Sequence, residues 1–146
     1  MKAKHGFTLV EILIVVVILG ILAAMVIPVF GQASTDAKTS SVASNLMKMR
    51  LQIELYKNHH NGHYPGTGTA SFEDAMTGKT DIYGAAGGQY GPYLERIPVN
   101  SFNNYDSVRL DGAAAGTNPA TTDGWRFDTA TGDFRADDSA QHAADL

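Results

Sequence analysis

The sequence predicts an α+β chain in which a long amino-terminal α-helix, half fit for a membrane and half amphipathic, packs on a small carboxy-terminal antiparallel β-sheet. Three observations predict it. From Ile12 to Phe30 no residue is charged, a length close to the ~20 residues that cross a hydrocarbon core as helix. Beyond that run Val42, Leu46, Met49, Ile53 and Tyr56 recur at steps of four, three, four and three, an apolar stripe on one helical face. Lys38, Ser41, Lys48 and Gln52 occupy the opposing face, which is read as polar. Finally, Asp106–Leu110, Gly124–Asp128 and Asp133–Arg135 read as strands by alternation, and the turn Thr129-Ala130-Thr131-Gly132 joins the last two into a hairpin.

The elements follow in order. Lys2 and Lys4 precede the apolar run, so the amino end stays cytoplasmic and the bulk of the chain crosses the membrane. Glu11 is the one charge inside the segment, and an ionisable side chain there costs about 2.5–3.5 kcal/mol at mid-membrane, less at an edge. Two readings stand: it pairs with a cation in or beside the membrane, or it lies solvated at headgroup level. Pro28 removes a helical hydrogen bond and predicts a kink, and Gly20 is a second weak point. Residues 31–44 are mostly small and polar, which lets neighbouring helices approach closely. Helix from Phe7 to about Lys57 would be roughly 75 Å long at ~1.5 Å per residue. It ends between Asn58 and Gly62, and Tyr64-Pro65 prevents its continuation. Ser71-Phe72-Glu73-Asp74-Ala75-Met76 reads as a short helix capped by Ser71 and stopped by Gly78. Gly84–Gly91 reads as loop and the stretch from Ala136 to Leu146 as a frayed tail. Val108, Leu110, Trp125, Phe127 and Phe134 are expected to bury one sheet face against Leu46, Met49, Ile53 and Tyr56.

Composition bounds the function. The 146 residues carry a net charge of −4 and no cysteine, which excludes disulfides, thiol chemistry and lipoprotein acylation. No basic patch is visible to engage phosphates, so no nucleic acid is expected as a partner. There is no Gly-x-Ser-x-Gly elbow, no His-Glu-x-x-His and no matched carboxylate pair, so no enzyme is expected. A conventional secretory signal competes for the amino-terminal segment, with Gly31-Gln32-Ala33 as its cleavage site and a soluble mature chain beginning near Ser34. Glu11 at the start of the apolar run and the length of that run argue against it.

Gly6-Phe7-Thr8-Leu9-Val10-Glu11, followed by the apolar run to Pro28, resembles the amino terminus of type IV pilins and of the pseudopilins of type II secretion systems. The resemblance implies a pilin-like fold and a leader of residues 1–6, cut between Gly6 and Phe7 by a prepilin peptidase that also N-methylates Phe7. It implies a membrane and filament-core helix over 7–30, an amphipathic continuation over 31–58 and a periplasmic globular domain over 59–146. Glu11 would neutralise the Phe7 amino group of a neighbouring subunit, and Pro28 would belong to the assembly helix. Asn61-Gly62-His63-Tyr64-Pro65 and Gly91-Pro92-Tyr93-Leu94 narrow the resemblance toward the major pseudopilin of type II secretion. That reading implies a single-pass inner-membrane protein that polymerises with itself, with an inner-membrane assembly platform and minor pseudopilins as further partners. A type IV pilin working in adhesion, motility or DNA uptake is the alternative.

Two constellations bear on metals. His59, His60 and His63 lie close in sequence near the helix end, where they read either as ligands or as solvated histidines. Asp106, Asp111, Asp123, Asp128, Asp133, Asp137 and Asp138 offer hard oxygen ligands of the kind calcium prefers. Calcium in the carboxy-terminal domain is what the family resemblance implies, although Pro98-Val99-Asn100-Ser101-Phe102 departs from the family's loop motif.

Overall fold

The computed structural model describes residues 6–110 and 123–137, the side chains of 27–31 excepted. Its elements are α1 (Leu9–His59), α2 (Phe72–Thr77), β1 (Val108–Leu110), β2 (Trp125–Phe127) and β3 (Phe134–Ala136). They fall in two compact units, one ending at Ala37 and one beginning at Lys38, so the boundary lies inside α1. The expected kink at Pro28 falls where side chains are outside the described residues, as do Asp111, Asp138 and the tail beyond Asp137.

In the second unit the predicted stripe does what its spacing requires. Val42, Leu46, Met49, Ile53 and Tyr56 are all buried, together with Phe72, Met76, Leu94, Ile97, Trp125, Phe127 and Phe134. Trp125 stacks on Phe134 at 5.6 Å between centroids, and Phe72 lies 5.1 Å from Phe127. The helix stops at Asn61 and Gly62, both at positive φ, and the Gly62 amide donates to the Lys57 carbonyl at 2.9 Å, closing the last turn. α2 is capped as expected: the Ser71 hydroxyl accepts from the Asp74 amide at 3.0 Å, and Gly78 ends it.

The sheet has the order β1-β2-β3 and is mixed. β2 and β3 form the antiparallel hairpin, pairing Trp125 with Ala136 and Phe127 with Phe134. β1 pairs with β2 in parallel, Val108 beside Trp125 and Leu110 beside Phe127, which corrects the expectation of a wholly antiparallel sheet. The reason is the connection: fourteen residues separate Leu110 from Trp125, and a crossover of a dozen or more is what a parallel neighbour needs.

Three further expectations are corrected. Leu110 stands at the sheet edge, 42% exposed, rather than in the core, while Ala136, read as tail, is buried in β3. The polar reading of the opposing face of α1 fails, because Met47, Leu51 and Leu55 are exposed there. And β2 is buried on both faces, Arg126 included.

The register sets Arg109, Arg126 and Arg135 side by side across the sheet, where like charges oppose one another. Carboxylates offset them: Arg109 donates two bonds to Asp137, at 3.0 and 3.2 Å, and Arg135 pairs with Asp133. Burial pushes the Asp137 carboxyl above the ordinary range, the Arg109 bond pulling against it. Behind the sheet, the buried Asn100 amide donates to the Gly124 carbonyl at 2.9 Å, its carbonyl accepts from the Phe102 amide, and the Trp125 indole donates to the Pro98 carbonyl at 2.6 Å.

Met49→Ala should cost about 2–5 kcal/mol by leaving a cavity in this core. Leu51→Ala, on the exposed face, should stay within about 0.5 kcal/mol. Urea unfolding of the detergent-solubilised full chain, followed by fluorescence of Trp125, the single tryptophan, measures both. A second expectation concerns the hairpin. The Asp128 side chain accepts from the amides of Ala130 and Thr131, at 2.8 and 3.3 Å, and the Ala130 bond foremost holds it below the ordinary aspartate range. A lowered folded-state pKa means stability that is present above ~3.9, the unfolded value, and lost as pH falls through the folded value. Asp128→Asn should therefore flatten the acid limb of the stability–pH curve; an unchanged limb would assign acid sensitivity elsewhere.

Candidate functional site

The site predicted from sequence is the start of α1. Gly6, Phe7 and Thr8 precede the helix, which begins at Leu9. Thr8 and Glu11 form a reciprocal capping box. The Thr8 amide and hydroxyl both donate to Glu11 Oε2, at 2.8 and 2.9 Å, and the Glu11 amide donates back to Thr8 Oγ1 at 3.2 Å. Two amides that would otherwise lack acceptors at a helix start are thereby satisfied. A carboxylate in the first turn also faces the positive end of the helix dipole. The Thr-x-x-Glu spacing was legible in the sequence and signals this box; read only as a lone charge, Glu11 hides the role of Thr8.

The neighbouring residues are open. Phe7 is 83% exposed, and among the described residues a Cβ added at Gly6 would meet no atom within 4 Å. The chain's own packing therefore does not require glycine at position 6. The window Leu9–Val26 is long and apolar enough to cross a membrane, and none of it is buried within the chain. Pro28 lies within α1.

The histidines separate into different environments. His60 is fully buried, stacked on Tyr56 with ring centroids 3.7 Å apart. Its Nδ1 lies 2.8 Å from the Tyr56 carbonyl and so carries the proton, while Nε2 lies 2.9 Å from Thr80 Oγ1. Neither reading of His60, ligand or solvated, describes this core position; the signal that would have placed it, Thr80, lies twenty residues further along. His59 Nδ1 is 3.0 Å from the hydroxyl of Tyr93, whose pKa is pushed up to about 12 by burial first and then by Tyr56 and Tyr90. His63 is exposed. Among the described residues no three His, Asp or Glu side chains come together as a metal needs. Asp128 caps a turn, and Asp133 and Asp137 bond arginines.

A membrane-length helix opening on a Thr-x-x-Glu box, with an α+β domain built on its later turns, is a pilin-like arrangement. The family model described as the prokaryotic N-terminal methylation motif matches residues 1–27. Type II secretion system core protein G of Escherichia coli is 31% identical over 69% of this chain and 68% of its own length. The protein of that name in Pseudomonas aeruginosa is 32% identical over 70% and 71%. The chain belongs to this family, the major pseudopilins of type II secretion. The type IV major fimbrial protein FimA of Dichelobacter nodosus is also similar, 34% identical over 81% of this chain and 79% of its own. No solved structure matches.

Proposed function

We propose that this chain is the polymerising subunit of a type II secretion pseudopilus, held in the inner membrane by Leu9–Val26 before assembly and carrying its second unit in the periplasm. The observation that carries the reading is an apolar segment, Leu9–Val26, with no residue buried in its own chain, opening on one carboxylate already held at a fixed place by Thr8. Such a surface needs lipid first and other helices afterwards. A prepilin peptidase cuts between Gly6 and Phe7 and methylates Phe7; the open surroundings of Gly6 suit recognition from outside. Glu11 then takes the Phe7 amino group of the next subunit. In a low dielectric each charge is costly alone, so the pair fixes axial register even where its net contribution to stability is small. The assembly platform receives the subunit from the membrane, and minor pseudopilins share the filament. The role is structural, without catalysis. The similarity to a fimbrial protein over 81% of the chain favours a type IV pilus as the second reading, which gene neighbourhood or imaged surface fibres would separate.

Mass spectrometry of the membrane or sheared-filament fraction should find a chain that begins at Phe7 with one added methyl group; a soluble chain beginning near Ser34 would overturn the reading. Gly6→Leu should accumulate uncut precursor. Glu11→Gln separates the two roles of that side chain, because glutamine can complete a capping box but carries no charge. It should be inserted and cut normally yet lose most filament yield, as should Glu11→Ala. Wild-type yield from Glu11→Gln would show that capping, not charge pairing, is what assembly needs.

A further inference from the structure

The outer edge of β1 borders a cavity. In the parallel pairing of β1 with β2 the Trp125 amide donates to the Ser107 carbonyl at 3.1 Å. Along such a ladder successive residues aim their backbone groups at opposite edges. Those of Ser107 and Arg109 therefore face β2, and those of Val108 and Leu110 face away. β1 is the outer strand of the sheet, and among the described residues no backbone bond reaches this outer edge. Beside it lies a cavity of about 270 Å³ whose lining includes Phe72, Ile97, Val108, Leu110, Glu73 and Asp106. That is below the ~300 Å³ at which pockets for drug-sized ligands begin, and it suits one or two side chains. Glu73 and Asp106 are both exposed, and among the described residues neither carboxylate has a bonded partner. Their neighbour Asp74, in contrast, is held by Ser71.

Together these features select one kind of occupant. An unpaired strand edge recognises an extended backbone, and an apolar hollow beside it takes an alternate side chain. Two acids at the same place favour bases next to that side chain. We propose that the outer edge of β1 binds an extended peptide segment of a partner protein as an added strand. Its apolar side chain sits against Phe72, Ile97 and Leu110, and its flanking lysines or arginines are directed toward Glu73 and Asp106. Main-chain bonds at Val108 and Leu110 supply affinity, and the two acids supply selectivity. The contact lies wholly within the second unit and does not depend on the filament reading.

The probe is a fluorescein-labelled peptide, Lys-Thr-Leu-Thr-Lys, added to the detergent-solubilised full chain and followed by fluorescence anisotropy. Saturable binding is expected, at least tenfold weaker for the Glu-Thr-Leu-Thr-Glu analogue and at least tenfold weaker to Leu110→Lys. Glu73→Gln combined with Asp106→Asn should weaken it several-fold and remove most of its salt dependence. Strand addition has a further signature, because only alternate peptide amides face β1. N-methylation of the two threonines and N-methylation of the leucine should therefore differ, one abolishing binding and the other sparing it. Trp125 emission, from the strand beside β1, checks that each variant is folded; if Leu110→Lys perturbs it, the exposed double variant decides. Absence of saturable binding, equal affinity for the acidic analogue, unchanged binding to the double variant, or equal effects of the two methylations would overturn the proposal. So would a dimer that Leu110→Lys dissociates and the peptide fails to displace, which would give the edge to a second copy of this chain.

Discussion

The burial of one face of α1 is the interaction on which the second unit depends. Each strand is three residues long, too short to hold a sheet in water without a partner surface. Val42, Leu46, Met49, Ile53 and Tyr56 supply that surface, and Trp125, Phe127 and Phe134 gather on it. Remaining connections are tied down by polar bonds to the same centre: the Arg50 side chain donates to the Phe134 carbonyl, and Lys57 reaches the Tyr64 hydroxyl, which donates to the Thr131 carbonyl. α1 supplies both the apolar segment of the first unit and the core face of the second.

What the sequence made legible was local. The apolar stripe, the Ser71 cap, the Gly78 stop and the hairpin around Asp128–Gly132 are each set by residues within a few positions of one another, and each forms as read. The parallel placement of β1 was not legible, because it is decided by a long connection and by competition for the edge of β2. Alternation likewise assigned Leu110 to the core, since period-two counting knows the face of a residue but not what covers it. His60 looked like a solvated helix end because its partner Thr80 arrives through the fold.

At the candidate site the residue types were visible and their mutual roles only partly so. Gly6, Phe7 and Glu11 announce themselves by pattern, yet Thr8 acquires meaning only when its two bonds to Glu11 Oε2 are seen. The second apolar face of α1 was hidden for a related reason: Lys48 and Gln52, among its flanks, satisfied the expectation of a polar side before Met47, Leu51 and Leu55 were counted.

The Thr8–Glu11 box has a consequence for how subunits are stored and spent. A carboxylate hydrogen-bonded by its own chain has fixed partners but still carries its charge. Under the proposed pairing, a neighbour's ammonium would join or replace the threonine hydroxyl and amide that bond Oε2. What such pairing would add is neutralisation of a charge that the threonine only hydrogen-bonds. On that reading the membrane would hold a pool of capped subunits, and assembly would release each from the cost of an unneutralised carboxylate.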